Sequence, residues 1–472
     1  MQGSHAILTE SSLSPLEQLS QFLAQHQAAS EPHEDFEAFE RELTELFARA
    51  QSEVTGAELA RHDVDVPVVL VRGVAHRRVL RCKSTYVTAS GEVEVTRTLY
   101  RKGEEATICP MDLRAGIVED RFTPRAARQA VWAMAHMTSR ECEDLFVQVG
   151  GMRPSRCTLD RLSRDVGAQW ERDRPIIEPV LRATEEIPSE AVAVGVSLDG
   201  VLVPMLDGQR ARKRGEARAE GRPTKGPAGY QEAGCGTLSF YDKEGHRLGT
   251  RKLGRMPETG KKTLKAWLRD ELTSVLTERP ELTVVKLADG ARDNWTFLAE
   301  ELPDGVECVD FFHVAEHLSQ ACHLAYGENS TQAQAYFEKW RHILREDPRG
   351  VDKVIRALTY QCERRPRSKK LRIELGYFRR NRNRMPYAAL KKQKLPIGSG
   401  VVEAACKTLA TQRLKRSGMR WRHAGGQAVL SFRSLLQSDR FDRAWPLLAT
   451  AYKKTVEVPH NVVPLRRKNV RN

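Results

Sequence analysis

Three acidic residues of this 472-residue chain have the types and the surroundings that metal-dependent chemistry requires. Asp199 and Asp289 each end a hydrophobic run and precede a glycine, and Glu403 follows Gly398-Ser-Gly400. Carboxylate oxygens are the ligands that Mg²⁺ and Mn²⁺ prefer. Two such ions would polarise a phosphate, activate water or a 3′-hydroxyl and stabilise the leaving oxygen. An Asp-Gly pair is also typical of an ordinary turn, and that alternative stays open at this point.

The segments around the aspartates predict an α/β core. In chain order the patterns indicate a buried strand at 191–199, a polar basic loop at 209–227, a hairpin around 243–246, a helix at 261–277 and strands at 282–289 and 306–311. Ligands of open α/β sheets gather at strand ends, so both aspartates should lie on one rim. With Glu403 on a later helix, this is the element order of an RNase H-like fold.

Two longer segments resemble a known family. Pro396-Ile-Gly-Ser-Gly-Val-Val-Glu403, followed by Gln412-Arg-Leu-Lys-Arg-Ser-Gly-Met-Arg-Trp421, resembles the C-terminal signature of transposases of the ISKra4 insertion-sequence family. Asp289-Gly-Ala-Arg-Asp-Asn-Trp295 resembles that family's second-aspartate segment, and Asp310-Phe-Phe-His313 is similar to an element of Mutator-like transposases. Together these segments cover roughly residues 190–425.

The resemblance implies a bacterial DDE transposase, which is a polynucleotidyl transferase and DNA endonuclease. Asp199, Asp289 and Glu403 would then be the catalytic and metal-binding triad, holding two Mg²⁺ or Mn²⁺ ions. The partners would be double-stranded DNA, at terminal inverted repeats and at the target, and a second copy of the chain in a homodimer or larger synaptic complex. Relatives usually carry paired cysteines near the equivalent of residues 100–103; these are absent here, although Cys109-Pro-Met-Asp112 remains.

The predicted fold class is multidomain α+β and α/β, with six regions. These are an acidic helical region at 1–62, a small β module at 63–118, a helix-turn-helix-like region at 119–185, an RNase H-like catalytic core at 186–313 and 394–440, an all-helical insertion at 314–393 and a basic tail at 441–472. Glu403 follows Asp289 by 114 positions, which is too long for a bare RNase H connection, and the insertion accounts for the surplus. It either shapes the DNA around the active site, as in related enzymes, or only extends the core.

The net charge of +14 indicates a polyanionic partner, and it is confined to one end of the chain. Residues 391–472 carry 18 basic and four acidic side chains, whereas the rest of the chain is balanced. Basic groups interleaved with an aromatic ring can hold phosphates while the ring stacks on a base. The DNA-binding residues predicted here are Lys407, Arg413, Lys415, Arg416 and Trp421. A solvated charged face is the alternative.

A second DNA-binding region is expected at 122–170. Ser139 can cap one helix, Gly150-Gly151 can end it, and Ser155 can cap the next through Val166. A helix, a short glycine turn and a second helix form a helix-turn-helix or, alternatively, an ordinary helical hairpin. The third helix of this region would present its arginines, Arg156, Arg161 and Arg164, to DNA.

His313 follows a hydrophobic strand and lies three residues after Asp310. Its predicted role is to contact DNA or to orient the active site; the alternative is a hydrogen-bonded core histidine. His317 shares its helical face, so a metal-binding histidine pair is a further alternative.

The remaining composition indicates a cytoplasmic protein. The nine cysteines include no CxxC pair, and no apolar run reaches the length of a membrane span. Three other functions stay open: an RNase H-like nuclease without strand transfer, a catalytically inactive or domesticated DNA-binding protein derived from a transposase, and a transcription regulator. The spacing of the carboxylates has no use in a regulator.

Overall fold

The computed structural model describes residues 13–224, 229–328 and 330–459. They form two compact units: unit 1 holds the residues up to Ile177 and those from Asp442 onward, and unit 2 holds Glu178–Phe441. The fold is mixed α+β, with one sheet in each unit, as the sequence predicts. None of the helices in these ranges is long and apolar enough to cross a membrane. The six-region division stays a prediction, and the ends of its first and last regions lie outside the described residues.

Unit 1 begins with helices and a β module. Its elements in this part of the chain are α1 (Pro15–Ala28), α2 (Phe36–Arg61), β1 (Val68–Val71), β2 (Val74–Thr88), β3 (Gly91–Arg101), α3 (Pro110–Ala115), α4 (Pro124–His136), α5 (Ser139–Val149) and α6 (Arg156–Ala183), of which the residues from Glu178 onward belong to unit 2. The strands β1, β2 and β3 pair antiparallel in chain order. Asp112 is buried and accepts hydrogen bonds from Tyr86 Oη, at 2.6 Å, and from Arg97 Nη1, at 2.8 Å. The Cys-Pro-Met-Asp segment therefore closes the core of the module.

Helices α4, α5 and α6 confirm the three helices predicted at 122–170, but two boundaries differ. The cap of α5 is Thr138 and not Ser139, because Thr138 and Glu141 form a complete capping box of reciprocal hydrogen bonds. Helix α6 continues past Val166 to Ala183. Between α5 and α6, Gly151 has a φ of +89°, and a Cβ there would lie 2.5 Å from Ala89 O. A glycine is required at this turn for both reasons.

The sheet of unit 2 has the strand order and directions of an RNase H-like core. The elements up to the third parallel strand are β4 (Ala193–Pro204), α7 (Gln209–Ala219), β5 (Tyr230–Tyr241), β6 (Arg247–Arg255), α8 (Lys262–Glu278), β7 (Thr283–Ala288), α9 (Arg292–Glu300) and β8 (Val306–Val309). The order is β6-β5-β4-β7-β8. Strands β4, β5 and β6 pair antiparallel, whereas β4, β7 and β8 pair parallel.

The structure corrects two predictions for this region. Strand β4 does not end at Asp199 but continues to Pro204, because its outer half pairs with β5 beyond the point where β7 ends. Residues 209–219 form helix α7 and not a loop, since this segment consists mainly of good helix formers and holds an i,i+4 pair between Arg212 and Glu216. Residues 225–228 of the predicted loop lie outside the described residues.

Helices follow the sheet as far as Phe441. They are α10 (Phe311–Tyr326), α11 (Thr331–Glu346), α12 (Gly350–Arg364), α13 (Lys369–Arg380), α14 (Tyr387–Lys392), α15 (Gly400–Ala405), α16 (Gln412–Leu414) and α17 (His423–Gln437). A π-helical turn, Cys406–Thr411, joins α15 to α16. The side chains of α10 to α14 pack into the same apolar core as β4, β7 and β8. A second apolar cluster joins β5 to the segment that contains α15, α16 and α17.

The chain after unit 2 returns to unit 1. It forms α18 (Phe441–Ala449) and β9 (Val456–Glu457), and β9 pairs antiparallel with β1. The sheet of unit 1 thus has the order β3-β2-β1-β9. Tyr452 donates a hydrogen bond to Glu119, at 3.0 Å, which holds the same segment against the unit. The first part of the predicted basic tail is therefore packed, and residues 460–472 lie outside the described part of the chain.

Candidate active site

The two aspartates occupy equivalent positions on neighbouring parallel strands. The last paired residues of β4 and β7 are Ser197 and Leu287, which are 90 residues apart in the chain. Asp199 and Asp289 are separated by the same 90 residues and follow that pair by two positions, so the register brings them level and on one face of the sheet. Neighbouring strands lie about 4.8 Å apart. Both aspartates line one cavity of about 500 Å³.

Asp199 is held by backbone and thiol groups. Its Oδ1 accepts a hydrogen bond from Gly200 N at 2.7 Å, and its Oδ2 accepts one from Cys406 Sγ at 3.7 Å. Burial raises the pKa of the Asp199 carboxyl above its ordinary value, and the charge of Asp289 adds to the rise. Lys261 acts in the opposite direction. The two carboxylates are thus close enough to repel each other, which a bound cation would relieve.

Asp289 is fixed by the start of α9. Its Oδ1 accepts hydrogen bonds from Ala291 N, at 3.0 Å, and Asn294 Nδ2, at 3.2 Å. The amide of Asn294 also donates to Leu198 O, at 3.5 Å, and so links the two strands. Trp295 Nε1 donates to Asp289 O at 2.6 Å. No described residue donates a hydrogen bond to Asp289 Oδ2, which leaves that oxygen available to a ligand.

Glu403 lies on α15, beside the aspartates but separate from them. It is exposed, and it precedes by one helical turn Cys406, whose thiol contacts Asp199. Its Oε1 accepts a hydrogen bond from Ser399 Oγ at 3.2 Å, and Ser399 N donates to Asp310 Oδ2. Asp310 is fully buried and caps α10 through His313 N, at 2.6 Å. The start of α15 is therefore tied to the end of β8.

The donor set of the cavity suits a hard divalent ion, but it is incomplete. Asp199 and Asp289 offer carboxylate oxygens, and Asn294 holds one of them in place. Within residues 13–224, 229–328 and 330–459, no three His, Cys, Asp or Glu side chains are grouped as ligands of one ion. Glu403 consequently does not complete a three-carboxylate site in this arrangement of the chain.

A tyrosine from the helical insertion packs against the glycine that follows the second aspartate. Tyr377, on α13, is buried, and its hydroxyl has no hydrogen-bond partner among the described residues. A Cβ on Gly290 would lie 2.4 Å from the Tyr377 ring. Burial raises the pKa of Tyr377, and the charge of Asp289 adds to the rise. The glycine after Asp289 is therefore required for this close approach, a contact that no sequence pattern reveals.

The predicted histidines have different environments. His313 is part-exposed, and its Nδ1 lies 3.7 Å from Glu316 Oε2, so its role at DNA stays a prediction. His317 stacks on Tyr377, with ring centroids 3.8 Å apart, and its Nδ1 lies 2.7 Å from Glu374 Oε2. His317 is thus paired with Glu374, and a metal-binding pair of His313 and His317 stays an alternative.

Two members of the predicted basic cluster, Arg413 and Trp421, pack against each other. Arg413 is buried, with 3% of its surface exposed, and its guanidinium lies 5.1 Å from the centre of the Trp421 ring. Trp421 is half-buried, and its Nε1 donates to Leu414 O at 2.9 Å. Burial against Trp421 leaves Arg413 little access to solvent and favours a structural role for both side chains. Their contacts with DNA stay predictions.

The other basic residues predicted to contact DNA lie at the surface. Lys407, Lys415 and Arg416 are exposed in unit 2, and Arg156, Arg161 and Arg164 are exposed on α6. Arg156 pairs with Glu143 at 3.0 Å, and Arg164 pairs with Asp165 at 3.0 Å. Surface ion pairs of this kind are weak enough for a phosphate to displace them. The DNA contacts of these residues stay predictions.

Comparisons with known proteins add little to this geometry. No protein-family model matches the chain, and neither does any curated protein. Among solved structures, the chain is similar to one described as the Drosophila P element transposase strand transfer complex, over 72% of this chain and 87% of that chain. The sequence identity is 13% and the TM-score is 0.27, so the likeness carries no argument about fold or activity.

Proposed function

We propose that the chain is a metal-dependent polynucleotidyl transferase, a DDE transposase that cleaves DNA strands and joins them to a target. The observation that supports the proposal is that Asp199 and Asp289 lie side by side. The two carboxylates are level on neighbouring parallel strands, face one cavity and repel each other. Two half-buried carboxylates that repel each other are unfavourable by themselves, whereas a divalent ion requires such a pair as ligands.

The residues of the chain would act mainly by holding and orienting groups. Asp199, Asp289 and Glu403 would bind two Mg²⁺ or Mn²⁺ ions, and these ions, when bound, supply the Lewis acid chemistry of phosphoryl transfer. Asn294 orients Asp289, and Gly200 N orients Asp199. Glu403 is exposed on α15, and Cys406, the residue directly after α15, contacts Asp199. We therefore propose that Glu403 joins the aspartates by a change of its side-chain position.

The test compares conservative variants of the three carboxylates in the full chain. Asp199→Asn, Asp289→Asn and Glu403→Gln should each abolish Mn²⁺-dependent nicking of a supercoiled plasmid and joining of a 3′-hydroxyl oligonucleotide to it. Asp270→Asn, an exposed acid on α8, is the matched control and should keep both activities. Nicking that survives in the two aspartate variants would refute the assignment. Nicking without joining would identify a nuclease instead.

A second candidate is a DNA-binding protein without catalysis, and the position of Glu403 favours it. Glu403 bonds to Ser399 and is not grouped with the aspartates among the described residues. This protein would bind duplex DNA but would neither nick nor join it in Mg²⁺ or Mn²⁺. Wild-type activity that depends on Glu403 would exclude this candidate.

A further inference from the structure

A second cavity of unit 2, of about 460 Å³, adjoins the second aspartate. We name it the arginine cleft, because Arg292 on α9, Arg380 at the end of α13 and Arg384 in the following turn line it together with Gly290. Gly290 directly follows Asp289. The cleft therefore begins one residue away from the candidate catalytic carboxylates, and the helical insertion supplies part of its wall.

The charges of the two cavities are opposite. The described lining of the arginine cleft includes three guanidinium groups and one carboxylate, Glu300. The lining of the cavity at the aspartates includes five carboxylates and two lysines. The cavity at the aspartates stabilises a cation, whereas the arginine cleft stabilises a phosphate. The two cavities thus offer one place for metal ions and a neighbouring place for an anion.

Arg384 is held in the wall of the cleft by its neighbours. Arg384 Nε lies 2.6 Å from Glu307 Oε2, and its guanidinium lies 4.4 Å from the centre of the Trp295 ring. Trp295 is buried and donates to the backbone of Asp289 at 2.6 Å. This chain of contacts fixes the cleft relative to Asp289, so a ligand in the cleft would have a defined position at the active site.

The other two arginines are available to a ligand. Arg292 and Arg380 are exposed, and no carboxylate in the described part of the chain forms an ion pair with either. An arginine presents a planar set of donors that suits phosphate oxygens. Two unpaired guanidiniums in one cleft mutually repel, and a polyanion in the cleft would offset that repulsion.

We propose that the arginine cleft binds the phosphodiester backbone of the reacting nucleic acid strand, beside the phosphate that Asp199 and Asp289 would engage. The proposal rests on the proposed function. It assigns Arg292 and Arg380 as positioning residues that touch the backbone without reading the bases. Contacts of this kind make binding depend steeply on salt and little on base sequence.

The experiment measures binding of a labelled single-stranded oligonucleotide of mixed sequence, without divalent ions, over a salt series. Arg292→Gln and Arg380→Gln should each flatten the log–log salt dependence by about 0.7, which is the value for one lost phosphate contact on a single strand. Arg379→Gln is the matched control: Arg379 is the neighbouring exposed arginine and bonds to Thr359 Oγ1 at 3.1 Å. It should leave the slope unchanged.

Several outcomes separate this proposal from the proposed function. The binding proposal for the cleft would be overturned if the salt-dependence slopes of Arg292→Gln and Arg380→Gln equalled that of Arg379→Gln. This conclusion would hold even if the plasmid is nicked normally. Flattened slopes would support the cleft even if nicking proved absent. ATP is tested in parallel as a mononucleotide with the same phosphate chemistry. If both cleft variants lost ATP binding but kept the oligonucleotide slope, the backbone assignment would be wrong.

Discussion

Glu271 lies at the centre of a buried charge cluster in unit 2, and replacing it should destabilise that unit strongly. Only 1% of its surface is exposed. Its two carboxylate oxygens accept hydrogen bonds from both terminal nitrogens of Arg440, each at 2.8 Å. Arg251 lies 3.2 Å and Arg182 lies 3.6 Å from the same carboxylate, and Glu185 pairs with Arg440 and Arg251. The cluster joins β6 and α8 to the chain after α17.

The structure gives a magnitude for this effect. Burial alone would raise the pKa of Glu271, but the hydrogen bonds and charges of Arg440 and its neighbours hold the pKa at about 2, below the ordinary 4.5. That difference corresponds to roughly 3 kcal/mol. The folded pKa is depressed, so this stability is fully present above about pH 4.5 and is lost as the pH falls through about 2. Removing one partner of such a cluster costs about 3–5 kcal/mol.

Glu271→Gln should therefore lower the free energy of unfolding of unit 2 by about 3 kcal/mol at neutral pH. Native-state hydrogen exchange of the α8 and β6 amides measures this change within unit 2. Glu278→Gln, an exposed acid on the same helix, should change it by less than about 0.5 kcal/mol. The wild type should lose stability between about pH 4.5 and 2 by an amount that the Glu271→Gln variant does not lose. Equal effects of the two substitutions would show that the cluster is not what holds these elements together.

Two further predictions concern packing in unit 2. Gly290→Ala should lower the midpoint of thermal unfolding, since its Cβ would meet the Tyr377 ring at 2.4 Å, at a cost of about 1–3 kcal/mol. Gly400→Ala is the control, because no atom lies within 4 Å of its Cβ. Equal midpoints of the two variants would contradict the close approach of Tyr377 to Gly290. Arg413→Gln should lower the same midpoint and leave the salt dependence of DNA binding unchanged, whereas Lys415→Gln should leave the midpoint unchanged, because only Arg413 is buried. A flattened salt dependence for Arg413→Gln would instead show that Arg413 contacts a phosphate.

The parallel strands of unit 2 and the two aspartates that follow their hydrophobic runs could be predicted from the sequence. Strands β4 and β7 are continuous hydrophobic runs, because both faces of the parallel part of the sheet are covered, and such runs are recognisable without a structure. The sequence therefore shows that one aspartate lies at the end of each hydrophobic run. Helix α8 follows from its own apolar periodicity in the same way.

Contacts between residues that are distant in the chain could not be predicted from the sequence. The 90-residue spacing of Asp199 and Asp289 brings them level only because β4 and β7 pair in the matching register. Cys406 contacts Asp199 across 207 residues, and Tyr377 reaches Gly290 from the helical insertion. Arginine usually lies at the protein surface, yet Arg413 is buried. A local pattern reports only whether a position prefers apolar or polar surroundings, whereas such contacts depend on which faces pack together once the chain is folded.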